Sequence, residues 1–194
     1  MPGRHREKVL DDARAVVRFN QGRPRDRFDG IHLDIEPQQR PENKGAGNLR
    51  FPPALVGTCR AVRALAAAAR MTVNADIPSR FLKGGLDERR MLLSALPRLT
   101  LMLYELGGSD KQETTRGKTE KLLKASQDFF DMAYQGAGNL NLAKMGIALR
   151  SEDYGSFLQE MLQSLDDTVR LNPRYLGWAL HSYNDYWPSA APNR

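Results

Sequence analysis

Phe28-Asp29-Gly30-Ile31-His32-Leu33-Asp34-Ile35-Glu36-Pro37 alternates apolar and polar residues with a period of two, the pattern of a β-strand with one face on a core. Successive strand side chains point to opposite faces, so Ile31, Leu33 and Ile35 share one side and His32, Asp34 and Glu36 the other. Acids two residues apart on one face stand about 7 Å from each other, at about 3.3 Å per residue. Neighbouring anions repel, which raises at least one pKa, and a carboxyl still protonated near neutral pH can act as a general acid. The stretch predicts a strand that delivers Asp34 and Glu36 to a site at its C-terminal end.

Upstream, Val9, Ala13, Val16, Val17 and Phe19 recur at helical spacing over residues 5–20, and Gly22 with Pro24 ends the pattern. Downstream, a polar loop over 37–50 gives way to Pro52 and Pro53, which open an Ala-rich helix to about Arg70. Residues 71–78 alternate again, with Thr72, Asn74 and Asp76 on one face. A helix over 86–96 precedes a third strand, 99–105, in which Thr100, Met102 and Tyr104 share a face. The chain continues with a helix over 111–135, a strand over 144–150 and an amphipathic helix over 151–170. In the last strand, 175–183, Trp178 and Leu180 face one way and Gly177, Ala179, His181 and Tyr183 the other.

Strand and helix alternate five times, which argues for an α/β protein with parallel strands joined by helical crossovers. A doubly wound sheet and a barrel both satisfy that description. No Gly-rich turn follows the first strand, against a Rossmann reading. Each strand places small or polar residues on one face, with polar side chains gathering at the C-terminal ends, where a (β/α)8 TIM barrel builds its active site. Five βα units stand against the eight of a closed barrel of about 250 residues. Residues 1–194 are therefore read as one partial, truncated barrel domain. Its unpaired edges call for a homodimer, a missing N-terminal barrel segment or a longer gene product.

The composition, 41% hydrophobic with one cysteine, is that of a globular domain with no intramolecular disulfide and no cysteine-based zinc cluster. Cys59 falls in the Ala-rich helix and reads as packing. The net charge of +6 owes much to Arg4, Arg6, Lys8, Arg14, Arg18, Arg23, Arg25 and Arg27. These interleave with Glu7, Asp11, Asp12 and Asp26 and have no aromatic platform beside them, so a solvated helix face is expected and no nucleic-acid partner. No apolar run reaches the length of about 18 residues that would suggest a membrane span, and no membrane partner is expected. The first residues lack the apolar stretch of a secretory signal peptide.

The run Asp29-Gly30-Ile31-His32-Leu33-Asp34-Ile35-Glu36 resembles the signature of glycoside hydrolase family 18, Asp-Gly-x-Asp-x-Asp-x-Glu, with His32 in place of the middle Asp. Met102-Leu103-Tyr104 is similar to that family's sixth-strand Met-x-Tyr, with Glu105 where an Asp usually follows. The resemblance implies that residues 29–36 and 176–183 correspond to barrel strands four and eight. It implies Glu36 as general acid, Asp34 as partner of the substrate acetamido group, Asp29 as a supporting acid and Tyr104 as donor to the acetamido oxygen. Retaining, substrate-assisted hydrolysis of an N-acetylhexosamine-containing oligosaccharide or glycoconjugate would follow, with no cofactor. His32, Asn74, Asp76, Glu105, Arg150, His181 and Tyr183 are the expected substrate contacts.

The same residues carry blander readings: Lys144 or Arg150 could neutralise the acids, and Asp76 could cap a loop. Two rival functions use the same barrel. Asp34, Glu36 and Asp76 could hold Mg²⁺ in a phosphodiesterase- or enolase-like enzyme with Lys144 as base. The departures at His32 and Glu105 also suit a carbohydrate-binding barrel without turnover.

Overall fold

In the computed structural model, residues 3–23, 25–34, 53–103, 115–135, 142–150 and 154–181 are described. Their helices are α1 (Gly3–Gly22), α2 (Pro53–Ala68), α3 (Leu86–Leu93), α4 (Thr115–Tyr134) and α5 (Leu158–Val169). The strands are β1 (Gly30–Asp34), β2 (Thr72–Pro78), β3 (Arg98–Met102), β4 (Lys144–Arg150) and β5 (Tyr175–His181). All neighbouring strands pair in parallel, and their spatial order is their chain order, β1-β2-β3-β4-β5.

That order bears directly on the choice between the two architectures. A doubly wound sheet reverses direction partway, sending helices to both faces. Here every step goes the same way, and right-handed crossovers then lay every connecting helix on one face. Burial agrees: Leu33, Val73, Ala75, Ile77, Leu99, Leu101, Met145, Ile147 and Leu149 join one core cluster with the inward residues of the helices. The interleaved His32 and Asp34 are exposed. Met102 and Ala148, also on that second face, are buried but stand outside the core cluster. The described residues thus form a singly wound α/β sheet, compatible with part of a barrel, and β1 and β5 each keep one unpaired edge among them.

The helices follow their sequence signals. Pro53 opens α2 at a position where a missing N–H costs nothing. Leu158, Met161, Leu162, Leu165 and Val169 make the buried stripe of α5. At the end of α2, Arg70 takes φ +56° while Ala66 O accepts from Met71 N–H at 2.9 Å and Ala67 O from Arg70 N–H at 3.0 Å. This is a Schellman cap with arginine where glycine is usual. On α1, Arg6, Lys8 and Arg18 are exposed while Leu10 and Ala13 are buried, and Arg14 pairs with Asp11 at 2.7 Å. Arg23, Arg25 and Arg27 lie beyond the helix, and Arg23 stands 5.0 Å over the Phe19 ring, an aromatic contact not expected from sequence. The segment expected as helix to residue 96 stops at Leu93, and a 3-10 turn at Ser79–Lys83 is an addition to the sequence expectation.

The entry to β1 is fixed by side chains. Buried Asn20 of α1 donates to Phe28 O at 2.8 Å and accepts from Phe28 N–H at 2.9 Å. Asp29 O then accepts from the Thr72 N–H at 3.0 Å and from the Thr72 hydroxyl at 3.3 Å. Gly30 lies opposite Thr72 so closely that a Cβ there would meet Thr72 Oγ1 and come within 2.8 Å of Thr72 O. These contacts set the β1–β2 register on which the site depends.

At the far side, β5 carries an extra residue. Met145 pairs with Tyr175 but Ile147 pairs with Trp178, and Gly177 inside the irregularity takes φ +100°. The bulge keeps Tyr175 and Trp178 on the helix side although they are three residues apart, and sets Ala179 beside Ala148 on the other face. Behind it, Tyr175 donates to Asp166 at 2.6 Å, Tyr134 donates to Ala143 O at 2.6 Å, and Arg174 lies over the Tyr134 ring. Burial pushes both phenols up, so they stay neutral and hold α4 and α5 to the lower end of β4 and β5.

Candidate functional site

The candidate site is the face of the sheet that carries none of the described helices, at the C-terminal ends of β1–β3. Strand alternation puts His32 and Asp34 there from β1, Asn74 and Asp76 from β2, and Thr100 and Met102 from β3. Register sets His32 beside Asn74, Asp34 beside Asp76, Asp76 beside Thr100 and Thr100 beside Gly146. Asp34 and Asp76 are therefore carboxylates on adjacent strands at the same height, about 4.8 Å apart at the backbone.

Two side-chain bonds cross this face on the same diagonal. His32 Nε2 lies 2.9 Å from Asp76 Oδ2, and Asn74 Nδ2 donates to Thr100 Oγ1 at 3.1 Å. Each reaches past its register partner to the residue two further along the next strand. The His32 imidazole is half exposed and the Asp76 carboxylate 22% exposed, so the pair sits at the boundary between sheet and solvent. The hydrogen bond to Asp76 lifts the His32 pKa above 6.5; partial burial opposes it, and the charges of Asp76 and Asp34 add to it. Asn74 Oδ1 also accepts from the Ala75 N–H at 2.9 Å, which fixes the amide orientation.

The sequence-derived candidates divide into four groups. His32, Asp34, Asn74 and Asp76 come together as described. Asp29 does not join them: it precedes β1, its carbonyl serves the Thr72 contacts, and it stands about 16 Å from Asp34 by strand rise. Arg150 and His181 are register partners at the last positions of β4 and β5. Glu36, Tyr104, Glu105 and Tyr183 lie outside the described residues.

Two of the bland alternatives are corrected. Asp76 is not a loop cap but an interior residue of β2 engaged by His32. Lys144 opens β4, three strands or about 14 Å from β1, too far to neutralise Asp34. Sequence alone does not mark Thr100; its register with Asp76 places it on the same face as the candidate residues. Cys59 packs in the core with its thiol pushed up to about 11, which leaves it an unreactive thiol.

Chemically, the face offers two carboxylates that accept hydrogen bonds, an imidazole that can carry a proton, and an amide and hydroxyl with defined orientation. Such a set suits a ligand rich in hydroxyl and amide groups. Among the described residues no group of three His, Cys, Asp or Glu side chains could hold a metal ion, and no helix is long and apolar enough to cross a membrane. In comparisons with known proteins, no family model, no curated protein and no solved structure matches the chain.

Proposed function

We propose that the chain is part of a glycoside hydrolase family 18-like (β/α)8 barrel and that the C-terminal end of the face carrying none of the described helices takes an N-acetylhexosamine-containing glycan. The observation that supports this reading is the gathering of His32, Asp34, Asn74, Asp76 and Thr100 on that face, with Glu36 two residues beyond Asp34 in the chain. Substrate-assisted hydrolysis needs one enzyme acid, because the acetamido oxygen of the sugar attacks its own anomeric carbon. Glu36 protonates the departing glycosidic oxygen. Asp34 accepts from the acetamido N–H and balances the positive charge of the oxazolinium, and Tyr104 donates to the acetamido oxygen. Asn74, Asp76, His181 and Tyr183 bond the sugar hydroxyls. In this reading the free edges of β1 and β5 are covered by a second copy or by further βα units.

A second reading is binding without turnover. It is favoured by one observation: the position of the motif's middle acid holds His32, already bonded to Asp76. Product analysis of N-acetylglucosamine and N-acetylgalactosamine oligomers incubated with the wild type and Glu36→Gln separates the two. The hydrolase reading expects cleavage that survives EDTA, against the Mg²⁺ alternative, and is lost in Glu36→Gln with folding unchanged. Cleavage retained in Glu36→Gln would refute the role of Glu36; saturable binding with no cleavage selects the second reading.

A further inference from the structure

We propose that His32 is a positioning residue that ties down the Asp76 carboxylate beside Asp34, so that protonation of its imidazole makes ligand engagement at this face depend on pH. The inference rests on the saccharide reading above and adds to it a regulation of the same site.

Asp34 and Asp76 are register partners on one face, where two carboxylates side by side repel. His32 sits two residues before Asp34 on the same strand, yet its imidazole reaches diagonally to Asp76 Oδ2 at 2.9 Å. The bond ties one oxygen of the Asp76 carboxylate to His32, beside the Asp34 register position. With the imidazole protonated the trio carries one net negative charge; with it neutral it carries two, and the tie on Asp76 weakens.

Among the described residues, the groups facing His32 are few. Asp34 is on its own strand, and Asn74 and Asp76 come from β2. Beyond them, β3 supplies Thr100, whose hydroxyl is engaged by Asn74, and Arg98 and Lys144 lie lower on β3 and β4. The raised imidazole pKa has the direction this arrangement requires. Because the imidazole is half exposed, its protonation can follow bulk pH without unfolding.

Imidazole NMR titration of the wild type and Asp76→Asn tests the coupling, and binding of tri-N-acetylchitotriose from pH 5.5 to 8.5 tests its consequence. The His32 midpoint should lie above 6.5 in the wild type and fall in Asp76→Asn. Wild-type affinity should drop about threefold across that midpoint, the scale of a half-exposed ion pair. His32→Gln should lose the pH dependence and stay at the wild-type high-pH level. His32→Lys, charged throughout, should lose it and stay at the low-pH level. An unchanged midpoint in Asp76→Asn, or a wild-type pH profile retained in His32→Gln, overturns the proposal. No saccharide binding at any pH, with the His32 midpoint still dependent on Asp76, would instead sink the saccharide reading and leave the coupling standing.

Discussion

Replacing Gly30 by alanine tests the register that assembles the site. A Cβ at position 30 would collide with Thr72 Oγ1 and stand 2.8 Å from Thr72 O and 3.4 Å from its carbonyl carbon. The hydroxyl can rotate away, giving up its 3.3 Å bond to Asp29 O. The carbonyl is main chain within the paired region and cannot move without shifting β2, so β1 must lift from its neighbour. Overpacking of this kind costs about 1–3 kcal/mol. At about 2–4 °C per kcal/mol for a chain of this size, a 2 kcal/mol loss lowers Tm by about 4–8 °C. Because His32 lies two residues beyond Gly30 on the same strand, its bond to Asp76 should loosen and its midpoint should drift back toward 6.5. Thermal melts of Gly30→Ala, Thr72→Ala and the double variant apportion the clash. Removing the hydroxyl should recover less than half of the loss, since the carbonyl contact remains. A Gly30→Ala protein within about 0.5 kcal/mol of the wild type, or one fully rescued by Thr72→Ala, would refute the close approach.

Other consequences can be measured on the same protein. His32 has a raised native pKa, so its contribution to stability is complete below about 6.5 and is lost as pH rises through the native value; urea melts should show a fall of about 0.2–1 kcal/mol over that window, absent in His32→Gln. Gly177→Val should cost about 1–3 kcal/mol because of the positive φ, whereas deletion of Gly177 should be tolerated, since it leaves Trp178 opposite Ile147 in a regular ladder. Arg70→Gly should stabilise by about 1 kcal/mol in thermal melts, because the left-handed cap position suits glycine.

The fold was legible where local chemistry fixes it. The alternation of Ile31 and Leu33 with His32 and Asp34, and of Val73, Ala75 and Ile77 with Asn74 and Asp76, gave both the strands and the face each side chain occupies. The sequential strand order agrees with the barrel reading drawn from the polar C-terminal strand ends and the missing Gly-rich turn; the helices alone do not carry it, because helices of similar length connect strands in both barrels and doubly wound sheets. What separates the two is which strand each crossover returns beside. The site was legible as residue types but not as contacts. Nothing near His32 in sequence indicates Asp76, 44 positions on; the pairing follows from a register set by Gly30, Thr72 and the Asn20 clamp on Phe28. The bulge in β5 was equally hidden, since strict alternation from Trp178 onward gives the same faces with or without the extra residue. Asp29 shows the opposite hazard: motif adjacency suggested a shared site, while five residues of extended chain put it at the other end of the strand.

Titrating an N-acetylhexosamine oligomer into isotope-labelled protein and mapping the backbone amide shifts shows whether this face of the sheet binds saccharide. Saturable changes should concentrate at His32, Asp34, Asn74, Asp76 and Thr100 and weaken in Asp34→Asn. Shifts confined to the helix-covered side around Val73, Leu101 and Ile147, or none at any concentration, would contradict saccharide binding there.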